Sequence, residues 1–322
     1  MAGPGGDSGP DWSEALTSDE LKDDTFWPEP RLSPGAARDW FKARIASREP
    51  ASLVRLGDGE FAMLGYGSIA PWEQTAQSLK VWFGHDDFDP ALLQRTVGQL
   101  REAVRQATVV GLPRPSRQRV DPFCSYVGKL YAHHALRTPG QLFTDCGIHR
   151  FWQMLLAYRE LLTGLPFLGI VTSRDIGQQV ADAFNVKTVA IYPVPSERQV
   201  PGAFEHIGDH FPGRFDSLCA ELAVPFRGAV FIVGAGALGK IYANIIHQRG
   251  GIALDVGSVL DGWSGTPSRG FLQQDPAMFG LEVYRQTANW TAEQTSENYR
   301  TQLRKVFYRL APNEEELGFY EH

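Results

Sequence analysis

The sequence has little sulfur, no long apolar run and no excess of positive charge. Three cysteines occur among 322 residues, Cys124, Cys146 and Cys219. They show no metal-ligand spacing and cannot all pair, which excludes a disulfide-built scaffold and a cysteine zinc site. Buried thiols in a reducing compartment fit them best. No stretch approaches the ~20 apolar residues of a membrane span. The net charge of −6 argues against a nucleic-acid backbone as the main partner. The N-terminus lacks the basic-then-apolar order of a signal peptide, so cytoplasmic residence is the default expectation. There is no internal repeat.

What is present is an ordinary globular composition, 43% hydrophobic, in a chain long enough for one large α/β domain. Residues 1–24 are polar, acidic and rich in Gly and Pro, and read as a disordered tail. Residues 25–322 read as a single domain with a helical C-terminal extension. Ser33 is an N-cap candidate with Pro34 at the first helical position, opening a helix to Ser47. Trp72–Gly84, Pro90–Ala107, Tyr126–Leu136 and Phe151–Leu162 also show helical spacing. Short β-rich runs at 52–57, 107–112, 141–145, 167–172, 188–192, 229–233 and 252–256 alternate with helices. That rhythm predicts a Rossmann-like, mainly parallel sheet with helices on both faces. Phe204–Leu222 reads as broadly helical with a break at Pro212-Gly213, Gly257–Gly270 as loop, and Ala292–Leu310 as helical.

Two glycine-bearing turns carry the chemistry. In Arg55-Leu56-Gly57-Asp58-Gly59-Glu60-Phe61 an apolar strand breaks into a turn holding two carboxylates. Gly57 and Gly59 let a ligand approach closely. If the turn is extended, Asp58 and Glu60 face one site and suit a divalent cation that also holds phosphates. In Gly234-Ala235-Gly236-Ala237-Leu238-Gly239 a G-x-G-x-x-G pattern follows a strand and opens a helix, the setting of a phosphate-binding turn. Asp255, on the next strand, stands roughly where a nicotinamide enzyme holds its ribose, slightly early. The alternatives are therefore an NAD(P)-dependent oxidoreductase, a nucleotide or phosphate site of another kind, and a tight connection with no ligand. Arg114, Arg117 and Arg119 form a basic loop that is either solvated or an anion contact. Trp82 and Trp152 read as core, and Trp263, in a Gly-rich loop, as an acceptor-site candidate.

The first motif resembles the Arg-Phe-Gly-Asp-Gly-Glu motif of the bacterial GT-D-fold glycosyltransferases. Three further blocks are similar in the same order: Ile148-His149-Arg150-Phe151, Ile170–Gly177 with Ser173 and Arg174, and Phe231–Gly239 with Ile252–Gly257. The resemblance covers roughly residues 35–265. It departs where Ser258 follows Asp255-Val256-Gly257, where the family often has His, and where His149 and Phe151 replace Ser and Pro. It implies a GT-D type fold and a metal-dependent transfer of a hexose from a nucleoside diphosphate sugar, UDP-linked, to a glycan or other hydroxyl acceptor. It also implies a divalent metal, manganese or alternatively magnesium, on Asp58 and Glu60. Donor contacts would come from Arg55, Gly57, Gly59, Arg150, Ser173, Arg174, Gly234, Gly236 and Asp261. Asp255 or Asp261 would be the base, with His149 a rival. A non-catalytic nucleotide-sugar binding domain is the further alternative.

Overall fold

The computed structural model describes residues 25–121, 123–196, 200–307 and 314–321. The expected tail, 1–24, lies outside them. Seven strands among the described residues form one sheet. They are β1 (Ala51–Arg55), β2 (Val109–Leu112), β3 (Leu142–Asp145), β4 (Leu168–Thr172), β5 (Val189–Pro193), β6 (Val230–Gly234) and β7 (Ile252–Asp255). Their order is β3-β2-β1-β7-β6-β4-β5, and every neighbouring pair is parallel.

The strand sequences are nearly continuous apolar runs because helices cover both faces. Side chains alternate between two cores. Val54, Val110, Val171, Phe231 and Ala253 enter one core. Leu53, Val109, Ile170, Ile232 and Leu254 enter the other. The all-parallel sheet gathers all its carboxyl ends along one edge. In open α/β sheets that edge is where ligands bind.

Most of the expected helices form. Ser33 caps the helix Pro34–Ser47, its side chain accepting from Ala36 N at 3.2 Å. Four expectations are corrected. Phe151–Leu162 is two helices, Ile148–Met154 and Ala157–Leu162, broken at Leu156 in the left-handed region (φ 55). Gly257–Gly270 contains a helix, Val259–Trp263. The stretch 204–222 holds only short turns before the helix Phe215–Glu221. The Gly-Asp-Gly-Glu segment is not extended: a helix runs Asp58–Leu64 with Gly57 as its N-cap. The alternation that would turn both carboxylates to one side does not apply to a helical backbone.

Candidate active site

A cleft of about 950 Å³ opens at the carboxyl edge of the sheet. Arg55 at the end of β1, Gly234–Ala237 after β6, Ser173 and Arg174 after β4, and Gly257 and Ser258 after β7 form its floor. Gly57 and Glu60 line it too. The two turns singled out in the sequence therefore face one space.

Beneath the floor lies a buried ionic network. Arg55 Nη2 pairs with Asp255 Oδ1 at 3.0 Å. The backbone N–H of Arg55 donates to Asp255 Oδ2 at 3.1 Å, and its Nε donates to the Asp255 carbonyl at 2.9 Å. Lys240, in the first turn of the helix Leu238–Gln248, places Nζ 2.8 Å from Glu60 Oε1, 3.2 Å from Asp255 Oδ2 and 3.0 Å from the Gly236 carbonyl. The other Glu60 oxygen, Oε2, accepts the Gly57 N–H at 2.8 Å. Glu60 thus completes half of a capping box on its own helix. Burial opposes charge on Asp255, but Arg55 and Lys240 outweigh it and hold the carboxyl below the usual range. Burial likewise opposes charge on Lys240, yet Asp255 and Glu60 raise it, so the ammonium stays protonated.

His149 lines the same cleft. Burial, then the Arg55, Arg150 and Lys240 charges, push its imidazole well below the usual value, so it is neutral. Arg55 Nη1 lies 2.7 Å from His149 Nδ1. A guanidinium can only donate, so Nδ1 accepts and the ring proton sits on Nε2.

The remaining wall is basic. Arg150 lies over the Phe271 ring, 5.3 Å from its centroid, and makes no ion pair or side-chain hydrogen bond among the described residues. Burial and the neighbouring Arg114 and Arg117 charges bring its pKa down to about 10, still charged at neutral pH. Arg117, Arg269, Arg304 and Lys305 add to the same wall. Arg174 is spoken for: Nε pairs with Asp261 Oδ1 at 2.7 Å and Nη1 donates to the Pro201 carbonyl at 2.5 Å.

Several expectations change on these distances. Asp255 is 2% exposed and saturated by two cations, so it is neither a free base nor able to grip a ribose. That removes the ribose contact on which the nicotinamide reading leaned. Asp261 lines the cleft, but Arg174 holds Oδ1 and the Ser268 hydroxyl donates to Oδ2 at 2.5 Å. His149, protonated on Nε2, offers a donor rather than a base. Arg114 is not in a solvated loop: it is buried and paired with Asp145 at 3.3 Å. Trp263 is core, 5% exposed, its Nε1 donating to Gln153 at 3.0 Å. Trp152 is core as expected, but Trp82 lines the cleft. A Cβ on Gly236 (φ 57) would lie 2.7 Å from the Trp82 ring, so the glycine turn and the indole are fitted to each other.

Lys240 went unnoticed in the sequence, although a signal existed. A lysine in a helix's first turn opposes the dipole. Flanked by Gly239, Ile241 and Tyr242, it has to be buried against acids.

Of the two carboxylates expected to hold a metal, only Glu60 has a described side chain. Both its oxygens are engaged, and the cation beside it is an ammonium. Among the described residues no group of three or more His, Cys, Asp and Glu could hold a metal. The described side chains therefore do not fit a divalent ion.

Comparison with known proteins agrees with the fold. No curated protein matches the chain. Solved structures it resembles include one described as a new glycosyltransferase (DUF1792) from Streptococcus sanguinis, at 17% identity and TM-score 0.47, covering 71% of this chain and 81% of that one. A second, described as the highly conserved domain of unknown function 1792 with a distinct glycosyltransferase fold, stands at 14% identity and TM-score 0.46, covering 74% and 80%. At such scores neither adds weight to an assignment. The GT-D fold-like domain model, by contrast, matches residues 33–263. That span carries the whole sheet and most of the cleft, and on it the chain belongs to the GT-D-like family, a glycosyltransferase fold.

Proposed function

We propose that this chain transfers a sugar from a nucleoside diphosphate donor to a hydroxyl of a glycan or other acceptor, with the diphosphate lying against the basic wall of the cleft. The observation that carries the reading is Arg150, a charged guanidinium set in the wall with no ion pair among the described residues. The chain as a whole carries a net charge of −6, so cations gathered in one cleft need a local reason. An anionic ligand supplies it.

In the reaction the anomeric C–O bond breaks and its electron pair leaves with the nucleoside diphosphate. The acceptor oxygen bonds to the anomeric carbon and gives up its proton. Negative charge grows on the departing phosphate, and fixed cations already aimed there lower the barrier without reorganising. Arg150 is the group for that role, with the other cations of the basic wall beside it. Arg55 holds the network in register from below, and Trp82 and Phe83 offer ring faces at the cleft wall. A uridine base follows from the motif resemblance.

The test is calorimetric titration with UDP, ADP, GDP, uridine and NAD, followed by nucleotide-sugar turnover with product detection. Micromolar binding of a nucleoside diphosphate, little binding of uridine, and sugar release or transfer support the reading. Binding without turnover over a broad acceptor panel makes the chain a nucleotide-sugar binding domain instead. Binding of NAD alone overturns the reading.

A further inference from the structure

The Asp-x-Glu turn leads one to expect a divalent cation, and the network beneath the cleft already holds a cation there. Lys240 Nζ sits between Glu60 Oε1 and Asp255 Oδ2 at 2.8 and 3.2 Å, with the Gly236 carbonyl as third acceptor at 3.0 Å. These three oxygens use the three N–H donors of the ammonium. Arg55 neutralises the rest of Asp255. Among the described side chains of this network two cations, Arg55 and Lys240, thus face two carboxylates, Glu60 and Asp255, and these four charges cancel. A divalent ion added at Glu60 would meet an ammonium already bonded to that carboxylate, with Arg55 close behind. Its electrostatic cost in a buried site is high.

We propose that the Lys240 ammonium takes the place of the divalent cation at this site, so that the protein holds the donor's diphosphate without added metal. The proposal deepens the glycosyltransferase reading, since it names what fills the cation position beside the donor site. Lys240 lines the cleft beside the glycine turn. The ammonium is built into the helix Leu238–Gln248 and needs no recruitment from solution. Its charge is balanced by Glu60 and Asp255, and the charge that faces the phosphate comes from Arg150, which has no ion pair among the described residues, and from the basic wall around it.

The experiment uses the full chain and two readouts. First, manganese alone is titrated into the protein and followed by the electron paramagnetic resonance of the free ion. The expected result is no protein-bound manganese at equimolar, submillimolar concentrations. Stoichiometric binding there overturns the proposal, whatever nucleotides do. Second, UDP is titrated calorimetrically in EDTA and in manganese. Dissociation constants within about threefold of each other support the proposal, and a loss of tenfold or more in EDTA overturns it. If UDP binds in neither buffer, the glycosyltransferase reading fails, while the manganese titration still decides what Lys240 replaces. The Lys240→Met variant gives the converse. With the ammonium gone, Glu60 Oε1 and Asp255 Oδ2 lose the cation they share, and the variant is expected to take up manganese that the wild type refuses. Lys240→Arg keeps a cation there should Lys240→Met fail to fold. It is expected to stay indifferent to manganese, and manganese uptake by it counts against the proposal.

Discussion

Arg55 and Gly257 touch with no room for a side chain between them: a Cβ on Gly257 would lie 2.2 Å from Arg55 Nη2. Gly257 also has φ 48, a conformation L residues adopt at a cost. The Gly257→Ala variant must therefore bear backbone strain and also push Arg55 off Asp255. We expect a loss of about 2 kcal/mol or more in urea unfolding. Gly98, exposed in the helix Pro90–Gln106 with nothing within 4 Å of its would-be Cβ, is the control. Gly98→Ala is expected to gain about 0.5–1 kcal/mol. Equal effects of the two substitutions would show that the contact with Arg55 carries no weight.

Asp255 is the one carboxylate shared by both network cations. In Asp255→Asn the shape is kept and the charge removed, leaving Arg55 and Lys240 with Glu60 as their nearest anion. Breaking one side of a buried ion network costs about 3–5 kcal/mol. Asp261, whose side chain is 18% exposed, pairs with the single cation Arg174, and Asp261→Asn is expected to cost clearly less. Denaturation of the two variants side by side checks the ranking. A milder loss in Asp255→Asn than in Asp261→Asn would mean that the network is not a structural unit.

His149 makes folding sensitive to mild acid. Its folded pKa is depressed by burial and by Arg55, Arg150 and Lys240, so the folded chain resists the proton that the unfolded chain accepts near pH 6.5. Above that value both states are neutral and the shift has no effect on stability. Below it the unfolded state binds more protons, and stability falls as pH drops. The slope tends to about 1.4 kcal/mol per pH unit for each such histidine. His210, brought down to about 3 by burial and Arg214, adds in the same direction. Asp255 contributes little over this range, because its loss sets in as the unfolded carboxyl protonates, mostly below about pH 4.5, and continues down to its lowered folded value. Urea midpoints measured from pH 7.5 to 4.5 are expected to fall, and His149→Gln is expected to flatten the slope by nearly one proton. An unchanged slope in that variant would place His149 in contact with solvent.

The sheet was legible in the sequence because parallel strands buried on both faces read as apolar runs, as at Val230–Val233 and Ile252–Leu254. The break at Leu156 was not, since an apolar residue in the left-handed region leaves no mark in hydrophobic spacing. The ligand-turn character of Gly57–Glu60 and of Gly234–Gly239 was legible from strand-then-glycine order. Their ionic wiring was not. Asp255 reads from sequence as an acid at a strand end, free to act. Only the β1–β7 neighbourhood, which brings positions 55 and 255 side by side, reveals that Arg55 consumes it. Lys240 was hidden by its place in a helix, where its partners are 180 and 15 residues away in the chain. Trp82 likewise fits a helix face as core. That this face borders the cleft is a property of the helix's position, which spacing does not encode.

Arg150 separates a binding group from a structural one. A half-buried cation without an ion pair among the described residues is costly in the free protein, and burial with the Arg114 and Arg117 charges brings its pKa down to about 10. In Arg150→Met the cost disappears while the contact with the Phe271 ring is largely kept by an apolar side chain. The free protein is therefore expected to be as stable as the wild type or slightly more so. The bound state loses a charge-assisted contact to phosphate, about 1.5–3 kcal/mol, or roughly 10- to 100-fold in the UDP dissociation constant. Uridine lacks the charge and should bind the two proteins alike. The wild-type affinity for UDP should fall with added salt more steeply than the variant's. Calorimetry at two salt concentrations decides the matter: unchanged UDP affinity in a well-folded variant would remove Arg150 from the donor site and leave the basic wall without a phosphate to explain it.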